Sequence, residues 1–253
     1  MSRLPRWLVA RRLVQVGLLA AFAWAASAGA GHLLRGNLSA SVLFDTVPLT
    51  DPFAALQMLA AGHLLATTAL VGAAVVLVFY ALIAGRAFCG WVCPINLVTD
   101  AAAWLRRRLG LHGLVRLPRT TRFVVLGLSL VLSAALGVAA FEWVSPVGLA
   151  QRAVIFGLPA AWSVVAGVFL LDLLVLERGV CGHLCPLGAF YAAAGARPMV
   201  RVAYHDDRCT ACMACHKVCP ERHVLAPLLD PTARPDFVAG GACLNCGRCV
   251  DVC

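Results

Sequence analysis

The sequence predicts an all-α membrane domain of four transmembrane helices over residues 1–178. A cysteine-rich segment, residues 179–253, follows and ends in a small α+β domain. The 253 residues are 61% hydrophobic and only 13% charged, with a mean hydropathy of +0.85, which is too apolar for an ordinary soluble domain. All twelve cysteines fall into four short motifs, and such clustering is typical of metal ligands in a reducing compartment.

Long apolar runs predict the spanning helices. They cover residues 13–34, 64–84, 123–141 and 159–176. At about 1.5 Å rise per residue, runs of this length match a bilayer core of about 30 Å. Ala26-Ser27-Ala28 resembles a signal-peptide cleavage site, but the first run continues without a charge to Leu34, which favours an uncleaved first helix.

The distribution of arginine predicts the orientation. Four arginines precede the first run, seven lie between Arg86 and Arg122, and the two remaining loops contain one each, Arg35 and Arg152. Because positively charged loops stay in the cytoplasm, we expect both termini and the C-terminal domain to be cytoplasmic. This topology accounts for the net charge of +9, so nucleic acid is not expected as a partner.

The two halves of the apolar domain resemble each other. Each contains a span, an outer loop with a short helix, a second span and then the sequence C-G-x-x-C-P on the inner side. The short helices are predicted at Pro52, capped by Thr50 or Asp51, and at Pro146, capped by Ser145. Because the halves run in the same direction, we expect two parallel two-helix repeats about an axis along the membrane normal.

Eight cysteines near the C-terminus form two runs of C-x2-C-x2-C-x3-C. This is the ligand spacing of a bacterial-type ferredoxin with two [4Fe–4S] clusters, in which the fourth cysteine of each run binds the other cluster. We therefore expect a ferredoxin domain at about residues 200–253. The first cluster is assigned to Cys209, Cys212, Cys215 and Cys253, and the second to Cys243, Cys246, Cys249 and Cys219. Structural zinc is disfavoured, because it gives no reason for the repeated spacing.

Two C-x3-C-P motifs, residues 89–94 and 181–186, contain the other four cysteines: Cys89, Cys93, Cys181 and Cys185. On a helix, a spacing of four places both sulfurs on one face, and a parallel repeat can bring the two pairs together around its axis. Four thiolates there can bind a further iron–sulfur centre. A redox-active dithiol pair and a structural motif that seats the ferredoxin domain are the alternatives.

These motifs, in this order, resemble the NapH/MauN family of membrane ferredoxin-type proteins. The resemblance rests on CGWVCP from Cys89, CGHLCP from Cys181, the paired ferredoxin runs and the loop VLFDTVPLTDPF that ends at Phe53. It covers nearly the whole chain and implies four transmembrane helices in the bacterial inner membrane, cytoplasmic termini and two [4Fe–4S] clusters on the eight ferredoxin cysteines. The chain departs from the family at its last ligand, Cys253, with nothing after it, and we expect the natural sequence to continue.

The resemblance also implies a function. Proteins of this kind take part in quinol dehydrogenation and, with the periplasmic ferredoxin-type protein NapG, pass electrons towards periplasmic nitrate reductase. Relatives with similar motifs imply an alternative, an electron-supplying maturation or assembly factor for another redox enzyme. A cytoplasmic redox sensor is a third interpretation. Electrons must cross the membrane in the first case, and the sulfurs of the C-x3-C-P motifs are the candidates visible in the sequence.

A quinol site needs a titratable group that accepts protons near the membrane surface. His63 is the first candidate and His32 the second, because both lie near the outer ends of spans. Asp172, inside the fourth span, is a further candidate, although it can equally pair with Arg178. The sequence contains no nucleotide-binding loop or haem motif, so no stand-alone catalytic machinery is predicted.

Overall fold

The computed structural model describes residues 5–27, 31–111, 113–115, 117–157, 159–229, 235–238 and 240–253. A helical domain with a small sheet comes first, and a segment of short helices and turns follows. Residues 28–30 of the first apolar run, which include Ala28 of the cleavage-like motif, lie outside the described residues.

The helical domain is built from α-helices of 5 to 22 residues. They are α1 (Arg6–Ser27), α2 (Pro52–Ala60), α3 (Thr67–Phe79), α4 (Ile95–Arg108), α5 (Thr121–Leu136), α6 (Ala140–Val144), α7 (Pro146–Phe156), α8 (Pro159–Leu170) and α9 (Pro186–Ala194). Single π-helical turns accompany α3 and α8. They are π1 (Tyr80–Ala84), π2 (Phe88–Val92), π3 (Leu171–Val175) and π4 (Val180–Leu184).

Among the described residues, α1 alone has the length and hydropathy of a membrane-spanning helix by itself. Three shorter apolar helices occupy the positions of the other predicted spans: Thr67–Ile83, Thr121–Leu136 and Pro159–Val175. At about 1.5 Å per residue, the longest of these three reaches about 25 Å. One helix of the described residues therefore has full spanning length, and the four-span arrangement stays a prediction.

A three-stranded antiparallel sheet between α1 and α2 departs from the all-α prediction. Its strands β1 (Leu34–Gly36), β2 (Ala40–Leu43) and β3 (Val47–Thr50) are neighbours in chain order. The β2–β3 hairpin turns at Phe44 and Asp45, whose φ angles of 53° and 52° are typical of a type I′ turn. An aspartate in the turn between two apolar stretches favours a hairpin over the loop that we expected.

The sheet packs along the side of one helix of the helical domain. β3 packs against the middle of α3, where Gly72 allows the close approach, because a Cβ at this position would lie only 2.9 Å from the carbonyl oxygen of Pro48. The segment that contains the sheet is therefore part of the helical domain's packing.

The two predicted short helices are confirmed. Helix α2 begins at Pro52, and the Asp51 side chain accepts a hydrogen bond from the Phe53 amide. Helix α7 begins at Pro146, and the Ser145 side chain caps its first turn. Proline suits a first helical position because its missing N–H has no partner there in any helix.

Each short helix is held by a buried glutamine five residues after its proline. The Gln57 side chain accepts from the Phe141 amide at 2.9 Å, and the Gln151 side chain accepts from the Leu38 amide at 2.7 Å. Both glutamines are at most 1% exposed. A buried amide of this kind fixes the position of its helix, because losing the hydrogen bond would leave a desolvated polar group.

The core collects both short helices and both cysteine motifs. Phe53 of α2 and Val147 of α7 lie in one buried cluster with Cys93, Leu187 and Tyr191. The opposite faces of the apolar helices carry many exposed large apolar side chains, and contiguous apolar surface of this kind indicates a membrane or protein interface.

The C-terminal segment is compact but has little regular structure. It contains 3-10 turns at Asp206–Arg208 and Arg222–Leu225, and the helices α10 (Ala214–Val218), α11 (Ala226–Leu229) and α12 (Arg248–Val252). An isolated antiparallel bridge joins Ala203 to Phe237. Its apolar cluster consists of Val224, Leu225, Leu228 and Val238, so we expect it to depend on bound metal for much of its stability.

Candidate metal centre

The structure brings the four cysteines of the C-x3-C-P motifs together. Cys89, Cys93, Cys181 and Cys185 line one pocket. Each motif begins in a π-turn and ends at a proline that leads into the next helix. Single π-turns occur frequently at functional sites, and here they turn the thiols of both motifs towards the same space.

Cys93 is buried, the other three cysteines are half-buried, and their thiols are close enough to affect one another. Burial, and then the charge of neighbouring thiols, raises the pKa of Cys93 and Cys181 far above the usual range and that of Cys185 to about 11. For Cys93 the neighbouring thiols are Cys89 and Cys185. A bound metal ion would neutralise the thiolate charge that burial disfavours, because cysteine ligates metal as the thiolate.

The space among the thiols is small. The cavity measures about 20 Å³, which is about the room for one water molecule. A metal centre larger than one ion therefore requires the cysteine side chains to turn away from this space. No three His, Cys, Asp or Glu side chains of the described residues are arranged to hold a single metal ion. The cysteine sulfurs around an iron–sulfur cluster lie farther apart than those around a single metal ion, because each cysteine binds a different iron.

A buried carboxylate with three arginines closes one side of the pocket. Glu221 pairs with Arg86 at 3.0 Å, with Arg122 at 3.7 Å and with Arg119. Arg86 is 1% exposed and also donates to the carbonyl oxygen of Cys181 at 3.3 Å. This Glu221 group therefore ties the residue two positions after Cys219 to the helical domain.

A second buried carboxylate with four arginines lies on the other side. Asp100 of α4 pairs with Arg178 at 2.8 Å, with Arg11 at 3.4 Å, and with Arg12 and Arg248. Burial alone would raise the pKa of Asp100, but these arginines lower it to about 2. Since Arg248 lies between two cysteines of the second ferredoxin run, this Asp100 group also joins that run to the helical domain.

Together the two groups contain a surplus of buried positive charge. Seven arginines face two carboxylates, an excess of five charges. Several of their buried nitrogens, such as Nε of Arg86 and both Nε and Nη1 of Arg122, have no hydrogen-bond partner among the described residues. Buried charge needs a partner, so the surroundings of the cysteines suit an anionic group such as a thiolate-bound iron–sulfur centre.

The second predicted ferredoxin ligand set is packed between these arginines. Burial, and then the charge of Cys246 and Cys243, raises the pKa of Cys219 to about 12. The same two neighbours, followed by Cys219, add to the burial that raises the pKa of Cys249 to about 12. The fourth cysteine of the first run is thus close to three cysteines of the second, which fits the crossed ligand pattern.

The first ligand set is more open. Cys209, Cys212 and Cys253 are exposed and Cys215 is partly buried. The thiol of Cys215 feels the charges of Cys253 and Cys212, which places the last residue of the chain near the first run. Donation from the Ala214 amide lowers the pKa of the exposed Cys212 thiol.

Backbone contacts seat the second run directly on the first C-x3-C-P motif. A Cβ at Gly90 would lie 2.6 Å from the carbonyl oxygen of Leu244, so only glycine allows this approach. Trp91 donates through Nε1 to the carbonyl oxygen of Asn245 at 2.9 Å. Leu244 and Asn245 lie between two ferredoxin cysteines, and Gly90 and Trp91 lie between Cys89 and Cys93.

Comparison with known proteins now places the chain in a family. The family model for a 4Fe-4S binding domain matches residues 65–112 and 158–199, and that for a 4Fe-4S dicluster domain matches residues 201–253. The ferredoxin-type protein NapH of Escherichia coli (strain K12) is 49% identical over 99% of this chain and 88% of its own length. The chain belongs to the NapH/MauN family. No solved structure matches it.

Other members carry two names. NapH of Haemophilus influenzae is 44% identical over 98% of this chain and 87% of its own. The methylamine utilization ferredoxin-type protein MauN of Methylorubrum extorquens is 48% identical over 94% of this chain and 83% of its own. In this chain of the NapH/MauN family, the first family model includes both C-x3-C-P motifs.

The three candidate quinol residues lie apart from one another. His63 is exposed and its Nε2 lies 2.8 Å from the carbonyl oxygen of Gly137, at the C-terminal end of α5. His32 is exposed in a turn before β1. Asp172 is 1% exposed and accepts from the Val180 amide at 3.1 Å. Arg178 forms its ion pair with Asp100 at 2.8 Å, and Asp172 also feels the charge of Arg178, so the pairing of Asp172 with Arg178 stays a prediction.

Two arginines at the pocket were not predicted as site residues. Arg86 and Arg178 each precede the first cysteine of a C-x3-C-P motif by three residues, and both line the pocket. From the sequence, Arg86 counts as a topology signal and Arg178 is considered only as a partner of Asp172. The extended repeat R-x2-C-G-x2-C-P could have identified these arginines. A topology signal does not require the arginine to lie three residues before the cysteine in both halves.

Proposed function

We propose that this protein is the iron–sulfur membrane subunit of a quinol dehydrogenase and passes electrons from quinol, with a ferredoxin-type partner such as NapG, towards periplasmic nitrate reductase. Its relatives named NapH support the pathway. Iron–sulfur clusters supply one-electron carriers when they are bound to cysteine thiolates.

One observation carries the proposal. The four C-x3-C-P cysteines line a single pocket that Leu244 and Glu221 of the dicluster segment also line. A purely structural motif would not need four thiols at the contact between two parts of the chain. We infer that Cys89, Cys93, Cys181 and Cys185 hold an additional iron–sulfur centre, next to the second ferredoxin ligand set.

The charged groups around the pocket support this role. The Glu221 and Asp100 groups bring their surplus of positive charge to the place where anionic clusters would lie, and so stabilise the more negative, reduced state. Arg86 and Arg178 do this from equivalent positions in the two motifs. The same groups hold the dicluster segment against the helical domain.

The outer segments shorten the route across the membrane. Val147 at the start of α7 lines the pocket with the cysteines, and Phe53 at the start of α2 lies in the same core as Cys93. Both helices follow predicted outer loops. The protein therefore brings its outer side to the cysteines, so electrons need not travel through the full thickness of the helices.

The proposal includes four membrane passes with cytoplasmic termini, arranged as two parallel repeats in residues 1–178, and a cytoplasmic segment 179–253. The repeated order of helix, π-turns, C-x3-C-P and helix supports the duplication. The exposed apolar faces of α3, α5 and α8 support the membrane location.

Reduction by quinol tests the function. The protein, reconstituted in vesicles with its clusters intact, is mixed anaerobically with a quinol, and cluster signals are followed by EPR. Dithionite in a parallel sample shows that the clusters can be reduced. We expect reduction by both. Clusters that dithionite reduces and quinol leaves oxidised would contradict the proposed quinol dehydrogenase.

A second candidate function is electron supply to the maturation of another redox enzyme. The MauN relatives, named for methylamine utilization, favour it because they are as similar to this chain as the NapH relatives. Under this alternative the same cysteines deliver electrons to a client protein, and quinol does not reduce the clusters. The vesicle experiment therefore separates the two functions.

A further inference from the structure

A large cleft lies between the helical domain and the dicluster segment, separate from the cysteine pocket. Its volume is about 650 Å³, within the range of about 300–1,000 Å³ that is typical of small-molecule sites. The start of α1, the end of α3 and the first C-x3-C-P motif form one wall, while residues 200–203 and the second ferredoxin run form the other. The lining includes Trp7, Phe79, Tyr80, Trp91, Val200 and Asn245.

Aromatic rings dominate the helical wall. The rings of Trp7 and Trp91 meet edge to face with centroids 6.0 Å apart, and those of Phe79 and Tyr80 meet in the same way at 5.1 Å. An aromatic wall favours a planar ring as the occupant, because ring–ring contacts add to the burial of apolar area.

A charged hydrogen-bond donor also lines the cleft. Arg201 lines it, is exposed, and holds its guanidinium 4.6 Å from the ring of Phe237. The guanidinium group can donate hydrogen bonds to the oxygen atoms of a ring, whereas the acyl chain of a phospholipid has no acceptor for these bonds.

The cleft opens towards the apolar surface. Phe79 is 47% exposed and continues the exposed apolar face of α3, which also contains Val71, Val75 and Val78. Under the membrane location proposed above, a molecule dissolved in the bilayer can enter the cleft from this face.

Residues from two cysteine-containing loops also line the cleft. Trp91 lies between Cys89 and Cys93, and Asn245 lies between Cys243 and Cys246. The Trp91 indole bonds to the Asn245 carbonyl oxygen, so one wall of the cleft is the contact between two ligand loops. A redox-active ring in this cleft is therefore near both candidate iron–sulfur sites.

We propose that this cleft binds the ring of an isoprenoid quinone. The proposal rests on the proposed function for its choice of ligand, but it places the ligand at the cytoplasmic contact of the two domains. This differs from the outer site that His63 and His32 suggested, and it gives the aromatic residues of the cleft a role in binding.

Photolabelling tests the site. A short-chain quinone with a photoreactive group is added to the intact, cluster-containing protein in vesicles, and labelled peptides are identified by mass spectrometry. Val200→Trp fills the cleft, while Met199→Trp is the matched control, because Met199 is its exposed neighbour and does not line the cleft. Iron content and the dithionite-reduced EPR spectrum verify that each variant is intact.

We expect label on peptides that contain Trp7 or Trp91, displaced by unlabelled quinone. Labelling should fall about tenfold in Val200→Trp and remain close to wild type in Met199→Trp. Label near His63 or His32 instead, label unchanged by Val200→Trp, or equal labelling by a photoreactive phospholipid that quinone does not displace would each overturn the proposal.

The labelling and reduction experiments together separate a failure of the site from a failure of the proposed function. Specific labelling of the cleft in a protein whose clusters quinol does not reduce would uphold the site and contradict the quinol dehydrogenase. Reduction by quinol without labelling of the cleft would uphold the dehydrogenase and overturn the site.

Discussion

The two ferredoxin ligand sets differ in their surroundings. In the first set, Cys209, Cys212 and Cys253 are exposed, and the nearby ion pair of Asp207 with Arg208 is on the surface, with side chains 76% and 82% exposed. In the second set, Cys246 is buried, and Arg248 beside it joins the buried Asp100 group. The chain thus presents one cluster site to solvent and encloses the other against the helical domain.

This difference suggests a direction for electron transfer within the segment. A soluble partner can approach the first set, because nothing in the described residues covers it. The second set faces the pocket of the C-x3-C-P cysteines across Gly90 and Leu244. The enclosed site therefore contacts the helical domain and the open site faces solvent, so the two sites should respond differently to substitutions at the contact.

The largest effect is expected for Asp100→Asn. The change leaves four arginines without their carboxylate, and breaking a buried ion pair costs about 3–5 kcal/mol. Chemical denaturation in detergent measures the loss, and EPR should show that the second cluster disappears before the first. Asp207→Asn is the control near the first set and should change stability by less than about 0.5 kcal/mol. Equal effects of the two variants would contradict the comparison.

A smaller effect is expected for Gly90→Ala. The new Cβ would lie 2.6 Å from the Leu244 carbonyl oxygen, so the second run must move away from the first C-x3-C-P motif. We expect a loss of about 1–3 kcal/mol and a perturbed EPR signal of the second cluster only. Gly127→Ala is the control, because Gly127 lies in α5 and a Cβ there would have nothing within 4 Å, and it should be neutral or slightly stabilising. A perturbed first cluster would show that the seating is not local to the second set.

The smallest effect concerns pH at the Glu221 group. Burial, and then the charges of Arg119, Arg122 and Arg86, lowers the pKa of His223 to about 4, so the folded protein keeps this residue neutral. The unfolded chain takes up the proton near pH 6.5, and stability should therefore fall as the pH decreases from about 6.5 to 4. Because the side chain is 43% exposed, we expect no more than about 1 kcal/mol. His223→Gln should flatten this part of the stability profile, and an unchanged slope would contradict the assignment.

The sequence predicted local features well. Family membership is confirmed by the relatives, and the helix starts at Pro52 and Pro146 are confirmed because proline and a capping side chain act within one turn. The hairpin at Phe44 and Asp45 was missed, although its turn residue was visible. The Arg86–Glu221 ion pair was not predictable, because it joins residues 135 positions apart and no local pattern encodes such a contact.

The convergence of the two C-x3-C-P motifs was an expectation from the apparent repeat, and the structure places their four cysteines in one pocket. The ligand roles of all twelve cysteines stay predictions. Spacing alone gives the ferredoxin pattern, because those ligands lie close in sequence. It cannot give the arginine groups around them, which five separate parts of the chain supply.

Iron counting tests the central claim, that Cys89, Cys93, Cys181 and Cys185 hold an additional iron–sulfur centre. Two [4Fe–4S] clusters require about eight irons per chain, and a further centre of two or four irons raises the total to about ten or twelve. We expect the higher count in the intact protein and a return to about eight in Cys93→Ser/Cys185→Ser, with both ferredoxin EPR signals kept. About eight irons in both proteins would contradict the account.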